Sequence, residues 1–333
     1  MNISTLLPVK NGEKFVGNIL KTLSSSCRNS DEILVIDDFS EDKTTDIVYD
    51  FARTDNRIKL IKNKSNGIVN ALNLGIREAS NTWIARYDVD DNYSHKRIEE
   101  QRKLVSDNLV AIFSDYSFFS ETNSNLGTIP SAVEASSVAI SLISSQRTAH
   151  PSVFFNKEAV LSVGSYREQD FPAEDLSLWL RMSRIGEMVS VPKTLLRYRL
   201  SANSITGMKR RDAINKKEEL LQNIWINDKN IDIVINNFSD IVKDYGLLEL
   251  QTERELLLVR DLYMLSKNRR IKHSQSKKIN HIVLAYGIKN FLRVSKLRSI
   301  RKLQVEKKSR EIERLIQHPH NFMGIKPSLY KAN

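Results

Sequence analysis

Residues 83–92 read WIARYDVDDN and place Asp88, Asp90 and Asp91 within four positions, directly behind a run with the character of a buried strand. Like charges this close repel one another, and each loses hydration where a strand end is partly enclosed. Two readings account for them, a solvated turn and a divalent-cation site. Hard cations such as Mg2+ and Mn2+ favour carboxylate oxygens and bridge them to phosphate oxygens. Alternation along an extended chain aims Asp88 and Asp90 the same way. A second acidic pair, Asp37 and Asp38, closes the run EILVIDD. A third acidic site lies in FPAEDLSLWLRM (171–182), where Asp175, Leu178, Trp179 and Met182 share one helical face and Glu174 and Arg181 another. Asp175 then projects from a helix N-terminus beside an apolar surface, where the dipole favours its charge and burial opposes it. The ordinary preference for acidic residues in a first helical turn explains the same spacing without any chemistry.

Strands must bring these carboxylates to one edge. ISTLLPV (3–9), EILVID (32–37), RIKLIK (57–62), WIARYD (83–88) and LVAIFSD (109–115) read as strands. Helices are expected between them, over Lys14–Leu23, after Ser40 as N-cap with Asp42 in the first turn, after the turn SNG, and after Ser94 as N-cap. This alternation predicts a mostly parallel sheet with helices on both faces. Ligands of such sheets bind beyond the carboxyl ends of the strands, where the strand order reverses. Asp37, Asp38, Asp88 and Asp90 all fall at such ends, and two acidic pairs there suit a phosphate ligand only through a cation. The turn after the first strand, PVKNGEK, lacks G-x-G-x-x-G, and the chain has no Walker A motif.

After residue 130 the pattern changes. SVFF (152–155) reads as a strand, and Asn156 as the cap of a short helix ending near Gly164. A helix DLSLWLRMSRI follows, stopped by Gly186, and then two short strands, EMVSV (187–191) and TLLRYRL (194–200). From Met208 nearly everything reads as helix, with no proline before Pro319.

The length of 333 residues suits one large core plus an appended region. A single cysteine, Cys27, excludes an intrachain disulfide and points to a reducing compartment. The opening MNISTLLPVK enters the first strand at once, and no run of about 18 apolar residues occurs, so a cytoplasmic protein without spanning helices is expected. The net charge of +11 is uneven: residues 1–206 hold 24 Lys and Arg against 26 Asp and Glu, and residues 207–333 hold 27 against 14. The basic surplus therefore belongs to the second region and needs its own explanation.

In this order, PVKNGEKF, ILVIDDFSED, NGIVNALNLGI, YDVDDN, HPSVFF and AEDLSLWLR resemble the inverting family 2 glycosyltransferases of bacterial capsule, O-antigen and exopolysaccharide synthesis, over roughly residues 1–206. The resemblance implies an α/β domain of GT-A fold, Rossmann-like, followed by a basic helical region over 207–333. It implies that a nucleotide-sugar, a UDP-sugar above all, is held by Pro8, Lys10, Asp37, Asp38, Asn66, Gly67, Asn70, Asp88 and Asp90. Asp90 with help from Asp88 is then the metal ligand for Mn2+ or Mg2+. Asp175 is the implied general base, and His150, Glu174 and Trp179 lie on the side of a saccharide or lipid-linked saccharide acceptor. One departure stands out: two residues after the pair Tyr198-Arg199, where the family often carries a histidine near the diphosphate, this chain has Ser201, with Arg199 or Ser204 as substitutes. The processive signature Q-x-x-R-W is missing after Asp175, so single sugar addition is expected.

Two other classes compete. A nucleotidyltransferase also uses acidic metal ligands on a parallel sheet, but KNGEK is a poor match to its glycine-rich basic loop. A catalytically inactive GT-A module acting as a binding scaffold is opposed by the intact Asp88, Asp90 and Asp175. In the second region, Ile282, Leu284, Ile288, Phe291, Leu292 and Val294 interleave with Lys289, Arg293, Lys296, Arg298, Arg301 and Lys302. Such a basic amphipathic helix suits the anionic cytoplasmic leaflet of a membrane, or it packs on the core or on a second copy as a homo-oligomer. Nucleic acid is not expected as a partner, because Phe291, Phe322 and Tyr330 form no stacking platform.

Overall fold

The structure, a computed structural model, describes residues 1–144, 146–201, 209–225 and 261. The amphipathic stretch 280–315 and Ser204 lie outside the described residues. The strands are β1 (Ile3–Val9), β2 (Glu32–Asp37), β3 (Ile58–Lys62), β4 (Trp83–Arg86), β5 (Asn92–Tyr93), β6 (Leu109–Phe119), β7 (Asn125–Ile129), β8 (Phe154–Asn156) and β9 (Glu187–Arg199). The helices are α1 (Val16–Ser26), α2 (Thr44–Thr54), α3 (Ile68–Glu78), α4 (Arg97–Arg102), α5 (Ala135–Ile143), α6 (Lys157–Ser162), α7 (Glu174–Met182) and α8 (Arg210–Trp225).

These strands form one sheet in the order β3-β2-β1-β4-β8-β6-β9-β5, with β7 paired to β6. The pairs β1–β2, β2–β3, β1–β4 and β6–β9 are parallel. The reversed strand β8 runs antiparallel to both β4 and β6, so β3, β2, β1, β4, β6 and β9 share one direction. The expected mostly parallel sheet is present, with β8, β5 and β7 as its opposed strands.

Alternation along each strand splits the core between the two faces. Leu6, Leu34, Ile36 and Ile84 pack with Leu72 and Ile76 of α3 and Leu176 and Trp179 of α7. Ile3, Leu7, Ile33, Val35 and Ala85 pack on the other face with Val16, Ile19 and Leu20 of α1 and Val48 of α2. Leu221 of α8 joins the first of these clusters.

Several local expectations change. Ser40 does not cap α2, since its hydroxyl accepts the Asn11 N–H at 2.9 Å. Asp42 lies before the helix and accepts the N–H groups of Thr44 and Glu13, both at 3.0 Å. Ser94 stands upstream of α4, its hydroxyl accepting the Lys96 N–H at 3.3 Å. Asn156 caps α6 as expected, accepting the Ala159 N–H at 3.1 Å. Helix α7 ends at Met182 instead of running to Gly186, and the two expected strands near the end are one strand, β9. Among the described residues no helix is long and apolar enough to cross a membrane.

Candidate active site

The chain moves outward from β1 to β2 to β3 and then returns to the other side of β1 as β4. The strand order therefore reverses between β1 and β4, and their carboxyl ends open a crevice. Reciprocal bonds build its first wall from the loops after β1 and β2. Asn11 accepts the Glu41 N–H at 2.8 Å, and the Gly12 N–H donates to Thr44 Oγ1 at 2.8 Å. At the tip Phe39 adopts φ 61°, in the left-handed region, and is half exposed.

The residues expected to hold the nucleotide gather along this wall. Asp38 is buried and accepts from Asn63 Nδ2 at 2.7 Å and from the Gly67 N–H at 3.0 Å. It thereby fixes the turn before α3, where Gly67 has φ 119°, a conformation suited to glycine. Asp37 is buried and accepts the Ser40 N–H at 3.3 Å. Lys10 Nζ donates to Asn66 Oδ1 at 3.1 Å, and Asn70 Nδ2 donates to Glu168 Oε1 at 2.5 Å. Pro8 is buried within β1, opposite Ile36.

The second wall carries the acidic cluster. Both oxygens of Asp88 are held by Arg86 in a two-pronged pair, at 2.6 and 2.8 Å. Arg86 is buried in β4, so its charge acts with little screening. Asp90 is different: among the described residues no side chain pairs with its carboxylate, and burial together with the charge of Asp88 pushes its pKa up to about 6. Asp91 is buried, with Oδ1 accepting the Arg199 N–H at 2.7 Å and Oδ2 without a partner among the described residues. Burial pushes its pKa well above the ordinary carboxylate range.

Asp90 and Asp88 fit a divalent cation. Asp90 offers hard oxygens with no competing side-chain donor among the described residues, and the oxygens of Asp88 keep lone pairs beyond those that Arg86 uses. No group of three or more His, Cys, Asp or Glu able to hold a metal occurs among the described residues. An Mg2+-type ion does not need one, since it is commonly bound by one or two carboxylates plus water and substrate phosphates.

The third group stands at the start of α7. Glu174 is buried and Asp175 half-buried, and the Asp175 Oδ1 accepts the Leu176 N–H at 2.6 Å. Burial pushes both carboxyls up, and the charge of Asp175 pushes Glu174 further. Arg86 and Lys217 of α8 pull Asp175 back toward ionisation. The charge of Arg86 thus reaches Asp88, Asp90, Asp91, Glu174 and Asp175, which brings the strand-end cluster and α7 into one electrostatic neighbourhood.

His150 Nε2 lies 2.7 Å from the Tyr166 hydroxyl. Burial holds the His150 pKa well below its ordinary value and that of Tyr166 well above, so both are neutral. Trp179 corrects the expectation made for it. It has no exposed surface and packs on Phe113, His150, Phe155 and Tyr166, so it supports these residues from behind and does not line the crevice. Sequence reasoning missed Arg86, Tyr166 and Lys217. Arg86 alone had a readable signal, standing two residues before Asp88 on the same side of an extended chain.

Comparison with known proteins bears on the family and the fold. Residues 4–159 match the sequence model of glycosyl transferase family 2. An uncharacterized glycosyltransferase of Haemophilus influenzae is 26% identical over 73% of this chain and 80% of its own length. An uncharacterized glycosyltransferase of Rickettsia bellii is 26% identical over 62% of this chain, which spans only 30% of that protein. EpsJ, an uncharacterized glycosyltransferase of Bacillus subtilis, is 24% identical over 64% of this chain and 65% of its own. Among solved structures, S. aureus TarS 1-349 in complex with UDP-GlcNAc is similar with a TM-score of 0.58 at 14% identity, covering 88% of this chain and 92% of that one. Glucosyl-3-phosphoglycerate synthase from Mycobacterium tuberculosis, solved with Mn2+, UDP and glucosyl-3-phosphoglycerate, has a TM-score of 0.50 at 15% identity and covers 69% of this chain and 82% of that one. At such identities the likeness speaks for the fold. The chain thus has the GT-A fold of these glycosyltransferases, and its residues 4–159 carry the sequence pattern of glycosyl transferase family 2.

Proposed function

We propose that this glycosyltransferase moves a single sugar from a nucleotide-sugar, a UDP-sugar, to a hydroxyl of a saccharide acceptor, lipid-linked, in bacterial surface polysaccharide synthesis. The observation that carries the reading is the unpaired Asp90 carboxylate at the switch point, sharing the field of Arg86 with Asp175. TarS bound to UDP-GlcNAc and the synthase bound to Mn2+ and UDP support the donor class. Our division of the chain at residue 206 belongs to the same proposal.

Asp38 and Asp37, with Lys10, Asn66 and Gly67, line the end of the crevice assigned to the base and ribose. Asp90, assisted by Asp88, would hold Mn2+ or Mg2+. When bound, the ion supplies Lewis-acid neutralisation of the diphosphate. Asp175 takes the proton from the acceptor hydroxyl as that oxygen attacks the anomeric carbon. The bond from that carbon to the diphosphate breaks on the opposite face, so configuration inverts in one displacement without a covalent enzyme intermediate. General-base help of this kind contributes on the order of 10²–10⁴-fold.

The test is nucleotide release from a panel of UDP- and GDP-sugars with Mn2+, Mg2+ or EDTA. Release from a UDP-sugar is expected, abolished by EDTA and by Asp90→Ala, with UDP binding in Mn2+ also weakened in the variant. Full activity in EDTA contradicts the metal. Release from none of the donors contradicts the donor class.

A further inference from the structure

Behind the acidic turn lies a cation with no carboxylate partner among the described residues. Arg97, the first residue of α4, has no exposed surface. Its Nε donates to Gln101 Oε1 at 3.1 Å and its Nη2 to the Val153 carbonyl oxygen at 2.9 Å. Nη1 finds no hydrogen-bond partner among the described residues. The Arg97 Cζ sits 4.2 Å from the Tyr87 ring centroid and 5.1 Å from that of Tyr93, and the two rings pack on each other with centroids 4.5 Å apart. A buried charge without an ionic partner is costly, and the two aromatic faces offset only part of that cost. Apolar side chains would fill the same space at less cost.

What Arg97 supports is a tyrosine that grips the turn. The buried Tyr93 hydroxyl accepts the Asp88 N–H at 2.6 Å and lies 3.4 Å from the Asp88 carbonyl oxygen. Tyr93 belongs to β5, whose two residues pair with β9, so its backbone is fixed as well. Around it, Arg86 holds the Asp88 carboxylate, and the Arg199 N–H holds that of Asp91. Asp90 has no such side-chain tie among the described residues, so its direction follows from the backbone between Asp88 and Asp91. Three carboxylates crowded there repel one another, and a turn without an inner anchor relaxes outward. Tyr93 supplies that anchor. Arg97 also joins the turn to the segment that carries His150. The Val153 carbonyl that it meets accepts the Arg86 N–H at 3.1 Å, and Gln101 Nε2 donates to the Ser152 carbonyl at 2.8 Å.

We propose that Tyr93 is a positioning residue for the cation-binding turn, its hydroxyl fixing the Asp88 N–H while Arg97 beneath keeps that hydroxyl in place. The assignment rests on the metal reading above. Neither side chain touches the ion or the substrates. Together they aim Asp90 before an ion arrives, so that binding carries less of the cost of ordering the turn.

Titration of the full chain with Mn2+ in the presence of UDP, with free Mn2+ read by electron paramagnetic resonance, tests it beside nucleotide release measured over a range of Mn2+ concentrations. Tyr93→Phe keeps the ring and its packing but removes the acceptor of the Asp88 N–H. It is expected to weaken Mn2+ binding by about tenfold, as leaving a buried N–H unsatisfied does. At saturating Mn2+ its turnover returns to within about threefold of the wild type, because no reacting group is lost. Arg97→Lys keeps a cation but cannot meet Gln101 and Val153 together, and is expected to weaken Mn2+ in the same direction; where it does not fold, Tyr93→Phe decides alone. Unchanged Mn2+ affinity in Tyr93→Phe overturns the assignment. So does turnover that stays low at saturating Mn2+, which means a general loosening of the site. Wild-type protein that binds no Mn2+ with UDP present overturns the metal reading itself, and the assignment with it.

Discussion

Glu174 and Asp175 are neighbours of the same chemical type, yet they face different charges. Asp175 receives the Leu176 N–H and feels the positive charges of Arg86 and Lys217. Glu174 is more deeply buried and feels Asp175 itself as a like charge. Tyr166, which also faces Asp175, is neutral. Asp175 thus receives more stabilisation of its charged form than its neighbour does, which suits the base role we propose for it. Because a base acts when ionised, removing a nearby positive charge moves the acid limb of the kcat/KM profile to higher pH. Lys217→Met should show this upward shift in a pH profile of nucleotide release, and an unmoved limb contradicts the role given to Lys217. At this scale Asp88, Asp90 and Asp175 were legible because carboxylates crowded at a strand end, or set beside an apolar helix face, stand out from their surroundings. Lys217 was not, because it reaches Asp175 only through packing of α8. Trp179 was misread for the opposite reason: its helical face was identified, but that face turns inward.

Among the elements, β1 and β2 were legible to the residue because every position in them is buried and the runs are mostly apolar or branched. Strand β5 has only two residues, and β7, NLGTI, has no alternation strong enough to read. Helix α5, ASSVAISLI, is too uniformly small and apolar to show a helical period. Pro192 made β9 read as two strands. In fact the ladder skips from Val191 opposite Ser114 to Thr194 opposite Asp115, so Pro192 sits in a register irregularity where no ladder bond is asked of it. Close approach of α3 to the sheet depends on Gly75: a Cβ there would lie 2.1 Å from Leu6 Cδ1 and 3.0 Å from Ile36 Cγ1. Alanine improves helix propensity by about 1 kcal/mol, but overpacking typically costs about 1–3 kcal/mol. Gly75→Ala should lower stability to urea, whereas Gly17→Ala, whose nearest neighbours would be 3.8 Å away, should raise it. Stabilisation by both would show that α3 has room to move off the sheet.

Over the whole molecule, described residues beyond 206 are tied to the part of the chain that carries the sheet. Leu221 is buried against the cluster that holds α7, and Asp261 is fully buried beside Arg147 at 2.8 Å. Breaking such a buried pair by removing one partner typically costs about 3–5 kcal/mol. The second region therefore adds Lys217 to the site as well as positive charge to the molecule. Its amphipathic stretch, outside the described residues, remains the element we propose for an anionic membrane surface, where a lipid-linked acceptor would be presented. In the function proposed above, the Asp175 carboxylate is the group on which the reaction turns. The most direct measurement is steady-state sugar transfer and donor affinity for Asp175→Asn against the wild type, in Mn2+ with the donor found in the panel. Asparagine keeps the size but cannot take a proton, so turnover is expected to fall by at least about a hundredfold with donor affinity nearly unchanged. Near-normal turnover would contradict the assignment of Asp175 as the base.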